Sequence, residues 1–382
     1  MATPMFSIAF TILRNILLPM LLGIAGAFVI AVLAAPKHES PLASIDVLPS
    51  PLAATTTQAT STKKIQTTAE KPKPKVTTTE AAKAKVDPVL AMKQALLSRI
   101  VAGDILSEAA VNEEVRKAVV NIYCTSPSDA LNPLSASGVI VSKGGLVLTN
   151  AHVAQYVLLT KHLSCVARTG SPASPTYTLG VAYFPEIWLN ENAAKITEEN
   201  PTSTGEHDYA FLAITGMVTP GVPLPDLPFV APEWSDVVFE GTPMVLAAYP
   251  AGFLGGLSVA TNLWLTSSVG DIWKLYYFTD PAQIDLFSTN GNIVSQKGAS
   301  GGAAVSLLSG KLLGMLTTVS EAETTGGREL MALTLPYIAR NFEKQEGYPL
   351  ATFMEQSPLA SVLAFENKRK AFSDRLLKVL IK

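Results

Sequence analysis

Short hydrophobic runs, separated by clusters of Gly, Pro, Ser and Asn, dominate the chain after residue 117. The runs are rich in Val, Ile, Leu, Tyr and Thr, which favour β-strands. Ten predicted strands begin at Ala118, Ser137, Leu146, Tyr209, Pro243, Leu257, Lys274, Gly302, Lys311 and Leu330. About a dozen strands exceed one small sandwich, so the pattern predicts a mainly β fold of two packed, six-stranded antiparallel β-barrels.

The N-terminal segment 15–35 is apolar and carries no charged residue. About 21 residues at 1.5 Å per residue match the roughly 30 Å of a bilayer core, so a transmembrane helix is predicted. A cleaved secretory signal is the competing interpretation, and Pro36 directly after Ala35 disfavours cleavage there. The preferred topology has residues 1–14 as a cytoplasmic stub and places the bulk of this single-pass protein outside the cytoplasm.

The next segment, 36–87, contains no aromatic residue and no glycine and is rich in Thr, Pro, Ala and Lys. Such a composition cannot build a core and predicts a disordered linker. Helical signals follow over 88–116, with Gly103 as a stop and Ser107 as an N-cap. The β-rich body is assigned to 117–345.

The C-terminal segment, 346–382, has apolar residues at helical spacing, including Phe365, Phe372 and Leu376. It predicts a terminal helix docked on the barrels. The helix is also basic, so contact with an anionic membrane or an acidic partner is the alternative.

Charge and cysteine content exclude some classes of protein. The 29 basic and 31 acidic residues give a net charge of -2, which provides no electrostatic reason to bind nucleic acid. The two cysteines are not in a CxxC pair, which disfavours a zinc or thioredoxin-like site. Cys124 and Cys165 fall in predicted strands of the first barrel, where they either form a disulfide or remain free thiols.

Three segments place a reactive residue beside the end of a predicted strand. They contain His152 in LTNAHVA, Asp208 in EHDYAFLAI and Ser300 in KGASGGAAV. His162 and His207 lie in polar surroundings that suggest solvated positions. A serine hydroxyl becomes a good nucleophile when a base removes its proton, and the base needs an acceptor to fix its tautomer. The three residues supply those parts.

The glycines around Ser300 allow a tight turn that leaves the N–H groups of Gly298 and Ser300 free to face a developing oxyanion. Alone, such a stretch would be an ordinary glycine-rich turn. Together with the other two motifs, in the order His, Asp, Ser, it matches the pattern of a known family.

From about 115 to 338 the chain resembles the trypsin-like serine peptidases of the chymotrypsin fold, and most closely their HtrA/Deg branch. The resemblance is carried by SGVIVSKGGLVLTNAHV, HDYAFLAI, GASGGAAVSLLSGKLLGMLTTV and LMALTLPYI. It implies that His152 is the general base, Asp208 its orienting acid and Ser300 the nucleophile. The N–H groups of Gly298 and Ser300 would form the oxyanion hole. Peptide bonds of proteins would be hydrolysed without metal or organic cofactor.

The sequence departs from the family pattern in several places. Ala299 stands where asparagine or aspartate is usual, so activation by a newly cut N-terminus has no partner. Only 82 residues follow Ser300, too few for a PDZ domain after the last strands. The segment between the histidine and aspartate motifs is long and predicts a surface loop near the cleft. A homo-oligomer is suggested by the resemblance alone.

The specificity pocket is assigned to residues before the serine and on the strand after it. These residues are Val294, Leu316, Thr317 and Thr318. No acidic residue is near Val294 to pair with a Lys or Arg of the substrate. The pocket is therefore expected to accept a substrate residue with a small to medium apolar side chain. Lys297 is interpreted as a solvated loop charge rather than a substrate contact.

The resulting hypothesis is a membrane-anchored serine endopeptidase with an extracytoplasmic catalytic domain, acting in envelope protein quality control or regulated proteolysis. The alternative is a catalytically silent, protease-like binding module. Loss of cleavage in Ser300→Ala would separate the two.

Overall fold

The computed structural model describes residues 88–126, 132–198, 204–319 and 329–380. The predicted anchor and linker lie outside these residues. Among the helices that are described, none is both long enough and apolar enough to cross a bilayer.

The first β-unit is a closed barrel of six strands. The strands are β1 (Val119–Thr125), β2 (Leu134–Ile140), β3 (Leu146–Thr149), β4 (Ser164–Thr169), β5 (Ser174–Tyr183) and β6 (Ala210–Met217). They close in the order β1-β2-β3-β6-β5-β4, and each neighbouring pair is antiparallel. Inward-facing aliphatic residues such as Ile122, Val147 and Leu212 fill the barrel, and helix residues described below extend this core.

The second β-unit is a sheet of seven strands, in the order β8-β7-β11-β12-β13-β10-β9. The strands are β7 (Pro243–Ala248), β8 (Thr266–Asp271), β9 (Lys274–Tyr276), β10 (Leu286–Thr289), β11 (Ala303–Ser306), β12 (Leu312–Val319) and β13 (Leu330–Thr334). The prediction of a mainly β fold with flanking helices and a first barrel of six strands is confirmed, whereas the second unit is a seven-stranded sheet and not a second six-stranded barrel. The second unit has a seventh strand because the short β9 pairs with β10 at the sheet edge.

Eight α-helices accompany the strands in the described residues. They are α1 (Pro88–Ala102), α2 (Glu108–Ala118), α3 (Ala151–Leu158), α4 (Glu186–Asn192), α5 (Gly256–Thr261), α6 (Leu335–Glu346), α7 (Leu350–Met354) and α8 (Pro358–Leu380). Ser107 caps α2, because its Oγ accepts a hydrogen bond from the N–H of Ala110 at 3.4 Å. Phe365, Phe372 and Leu376 of α8 are buried in the same core cluster as Leu158 at the end of α3.

Two predictions in the body of the chain are wrong. The strand expected from Leu257 is instead the short helix α5, which contains no buried residue. Leu257 itself is 80% exposed, so its alternation with polar residues does not reflect a buried sheet face. The expected surface loop after Phe184 contains α4 and a 3-10 helix (Ala193–Thr197). Trp188, Leu189 and Ile196 from this segment are buried in the core of the first barrel, which is why it is ordered.

Candidate active site

His152 lies in the first turn of α3, directly after strand β3. Its backbone N–H donates to Asp208 Oδ1 at 2.9 Å, and its ring Nδ1 lies 2.7 Å from Asp208 Oδ2. The Asp208 side chain is 1% exposed, whereas the imidazole keeps 33% exposure. The carboxylate therefore fixes the ring through both oxygens and holds the proton on Nδ1, which leaves Nε2 able to accept a proton.

Thr317 connects the three candidate residues. Its hydroxyl donates to Asp208 Oδ2 at 3.3 Å, and its carbonyl oxygen accepts from Ser300 Oγ at 3.2 Å. The Asn150 side chain supports this arrangement, because its Nδ2 donates to the Asp208 carbonyl at 2.9 Å and to Thr317 Oγ1 at 3.1 Å. Thr317, in the sheet of the second unit, therefore links Ser300 to Asp208, and Asp208 bonds His152.

Ser300 follows a tight loop before strand β11, and Gly298 in that loop has φ +94°. A Cβ at Gly298 would lie 2.7 Å from the carbonyl oxygen of Tyr249, so the position excludes any side chain. Within the described residues, neither the Gly298 N–H nor the Ser300 N–H donates a hydrogen bond. Two backbone donors are therefore available beside the serine hydroxyl, as an oxyanion hole requires.

Ser137 of β2 holds this loop from the side of the first barrel, and the sequence analysis missed it. Its Oγ donates to the Gly298 carbonyl at 2.8 Å, and its N–H donates to the Ser300 carbonyl at 2.8 Å. The same Oγ accepts from the Tyr249 N–H at 2.9 Å. No sequence signal marks this residue, since a serine in a strand is usually only a solvated position.

The structure does not place all the predicted specificity-pocket residues on an open surface. Val294 and Leu316 are both 0% exposed and belong to one core cluster of the second unit, so they offer no open surface. Thr317 bonds Asp208, as described above, and Thr318 follows it on β12. Lys297 is exposed, in agreement with a solvated loop charge.

The other histidines divide into two cases. His162 is exposed, as expected. The prediction for His207 is wrong, because it is 9% exposed, has φ +60°, and contacts Asn341 of α6 through its ring Nδ1. Its N–H also donates to the Tyr337 hydroxyl at 3.0 Å, so α6 anchors the turn that precedes Asp208.

Cys124 of β1 and Cys165 of β4 form a disulfide in the structure. The two residues are directly opposite each other in the antiparallel β1–β4 pair. No three side chains of His, Cys, Asp or Glu come together to hold a metal ion in the four described ranges.

The environment of His152 sets the pH at which it can act as a base. Burial favours the neutral ring, but the charge of Asp208 and the hydrogen bond to it outweigh burial and raise the pKa of His152 above its usual value near 6.5. Since only neutral His152 can accept a proton, we expect kcat/KM to fall on acidification with an apparent pKa above that value.

Asp208→Asn provides the comparison for this pH profile. The variant removes the negative charge, so the acidic limb should shift to lower pH while the maximum falls. A limb that stays in place would show that another group controls the profile.

The fold and a comparison with known families define this chain as a serine endopeptidase. The family model that it matches, over residues 136–315, is described as the trypsin-like peptidase domain. A comparison with curated protein sequences finds no match.

Similar solved structures include the active form of the Rv3671c protease from M. tuberculosis, at 19% identity and a TM-score of 0.40. The match covers 63% of this chain and 88% of that one. The HtrA-type protease AlgW with tripeptide has 22% identity and a TM-score of 0.40, and the match covers 63% of this chain and 64% of AlgW. These scores are too low to support a statement about function, so the family model carries the assignment.

Proposed function

We propose that His152, Asp208 and Ser300 form the catalytic triad of a membrane-anchored endopeptidase that cleaves proteins through an acyl-enzyme. The observation that carries this proposal is the pair of His152–Asp208 hydrogen bonds, connected through Thr317 to Ser300. This arrangement supplies a base, its orienting acid and a nucleophile around one residue.

In the acylation step, His152 Nε2 takes the proton from Ser300 Oγ while the oxygen attacks the substrate carbonyl carbon. The resulting imidazolium is stabilised by the buried Asp208 carboxylate, and it returns the proton to the leaving amine as the peptide bond breaks. Water then attacks the acyl-enzyme with His152 again as base, which releases the acid product and restores Ser300.

The negative charge that develops on the substrate oxygen would be bound by the N–H groups of Gly298 and Ser300. The carbonyl of Lys297 accepts from the Ala251 N–H at 2.7 Å, which fixes the peptide plane between Lys297 and Gly298. Because N–H and C=O point in opposite directions in a trans peptide, the Gly298 N–H points away from Ala251. Each such donor contributes about 3 kcal/mol of transition-state stabilisation.

Cleavage of an unfolded protein tests this proposal. The full chain in detergent should degrade a reduced, alkylated protein substrate, and Ser300→Ala should abolish cleavage while the variant stays folded. Ser309→Ala is the matched control, since Ser309 is an exposed serine in the β11–β12 turn. Cleavage that persists in purified Ser300→Ala would refute the assignment of the nucleophile.

A silent binding module is the second candidate. The observation that favours it is the Ser300 hydroxyl, which donates to Thr317 and makes no hydrogen bond with His152 within the described residues. Catalysis requires the hydroxyl to rotate about the Cα–Cβ bond toward the imidazole. In a silent module no variant of the triad would change the turnover of any protein substrate.

The membrane anchor and its cellular role are part of the proposal. An uncharged segment at 15–35, followed by a polar linker, would tether an extracytoplasmic protease that acts in envelope protein quality control or regulated proteolysis. The full chain should resist alkaline extraction from membranes, and deletion of 15–35 should release it. Extraction of the intact chain by alkali would exclude the anchor.

A further inference from the structure

We propose that Arg168, in strand β4 of the first barrel, is a positioning residue for the oxyanion loop of the second unit. It acts through residues 249–265, the connection between β7 and β8, which we call the bridging segment. The inference rests on the proposed function, because it concerns the loop that carries Gly298.

Arg168 is 1% exposed and is among the largest fully buried side chains. Its Nε donates to Asn121 Oδ1 at 2.7 Å, its Nη1 to the Ala260 carbonyl at 2.8 Å and its Nη2 to the Val259 carbonyl at 3.0 Å. The Tyr123 ring covers the guanidinium at 4.1 Å. The planar fork of arginine therefore binds two consecutive carbonyls near the C-terminal end of α5.

Helix α5, in the middle part of the bridging segment, has few buried apolar contacts. Helix α5 contains no fully buried residue, and Leu257 is 80% exposed. Val259 is partly buried and packs against the main core cluster. A helix with a single partly buried apolar contact depends largely on its polar contacts for a fixed position. The hydrogen bonds from Arg168 are the ones that reach α5 from the first barrel in the described residues.

The first residues of the bridging segment form the wall of the oxyanion loop. The Ala251 N–H donates to the Lys297 carbonyl at 2.7 Å, and this bond orients the peptide that carries the Gly298 N–H. A Cβ on Gly252 would lie 3.2 Å from the backbone nitrogen of Lys297, so the two chains are in close contact. Displacement of α5 would therefore be transmitted to the oxyanion loop over a few residues.

Further bonds attach the ends of the bridging segment to the turn that follows β4. Tyr249 Oη donates to the Gly170 carbonyl at 3.0 Å, and the Leu263 carbonyl accepts from the Ala173 N–H at 2.7 Å. These contacts involve neutral groups at the two ends, whereas Arg168 holds the middle.

Neutral groups, rather than a counter-charge, hold the Arg168 guanidinium. No carboxylate in the described residues pairs with Arg168, and burial lowers the pKa of its guanidinium. A buried charge without an opposite charge costs folding free energy, and the hydrogen bonds to Asn121, Val259 and Ala260 offset part of that cost. We infer that the benefit that compensates for the cost of burying Arg168 is the fixed position that it gives to α5.

The test compares Arg168→Met with Arg116→Met in the full chain in detergent. Arg116 is a partly buried arginine of α2 whose Nη1 donates to Ser267 Oγ in β8, outside the bridging segment. For each protein we would measure kcat and KM on a peptide substrate, thermal unfolding, and inhibition by a peptide boronic acid. The boronate adduct is tetrahedral and anionic and places an oxygen in the oxyanion hole, whereas a peptide of the same sequence with a neutral C-terminal amide places no charge there.

We expect Arg168→Met to lower kcat and boronic acid affinity by at least about tenfold, but by less than the 100-fold to 1,000-fold known for loss of a whole oxyanion donor. KM and the affinity for the amide peptide should stay close to the parent values. The unfolding temperature should fall, because Asn121 Oδ1 and the two carbonyls lose their donors. Arg168→Lys, which keeps the charge but not the fork, should give an intermediate kcat. Arg116→Met should leave kcat unchanged.

A folded Arg168→Met with the parent kcat per titrated active site would overturn the inference, as would an equal loss in Arg116→Met. If Arg168→Met aggregates, Arg168→Gln keeps one amide donor group without the charge and carries the same expectation of a lower kcat. An inactive parent chain would refute the proposed function instead, so the two failures can be told apart.

Discussion

Replacement of His152 by alanine is expected to lower kcat/KM by about 10,000-fold or more without unfolding the protein. In the proposed mechanism the variant removes the base that takes the Ser300 proton, while the bonds of the Asp208 backbone and of Thr317 to their neighbours remain. His152 is one-third exposed and lies on the surface of the cleft, so its loss leaves no large cavity in the core. Steady-state hydrolysis of a peptide substrate, with circular dichroism for the fold, measures both effects.

His162→Ala is the control for this prediction, because His162 is an exposed histidine after the same helix. It should retain the parent kcat/KM. A His152→Ala variant with more than a few per cent of the parent activity would contradict its assignment as the general base.

Replacement of Gly301 by alanine is expected to have the largest effect on stability. A Cβ there would lie 2.0 Å from the Ser137 carbonyl oxygen and 2.4 Å from Thr149 Oγ1, both in the wall of the first barrel. The glycine also has φ +83°, which an alanine adopts at a cost of about 1–2 kcal/mol. Adding about 1–3 kcal/mol for overpacking gives a loss that is a large part of a typical domain stability of about 5–15 kcal/mol.

Gly241→Ala separates the two contributions. Gly241 has φ +81°, but no atom lies within 4 Å of its added Cβ, so this variant has the backbone cost alone. Urea unfolding of both variants should show a clearly larger loss for Gly301→Ala. Equal losses would mean that the contact between the serine loop and the first barrel is not as tight as the structure indicates.

The strands that were predicted correctly are those formed by a continuous apolar run of the sequence. The runs at Leu146, Tyr209 and Pro243 are buried throughout most of their length, so apolar composition alone located them. The run at Leu257 was misassigned because its apolar residues are exposed, a property that a hydrophobic pattern does not reveal. Burial, rather than composition, distinguishes the two cases.

The candidate catalytic residues were found because their chemistry and order are distinctive, whereas their supporting residues were not. Ser137 contacts a residue that lies 161 positions further along the chain. Arg168 contacts residues that lie 91 and 92 positions further along. Thr317 was assigned to the specificity pocket, and only the structure reveals its bond to Asp208. A contact between distant segments leaves no periodicity or local motif, so a single sequence cannot reveal it.

Labelling with a fluorophosphonate probe tests the central claim, that Ser300 is an activated nucleophile, most directly. The account predicts a covalent adduct that peptide mapping assigns to Ser300 in the full chain, and that is absent in His152→Ala. An adduct on a different serine, or no adduct in a folded sample, would contradict it.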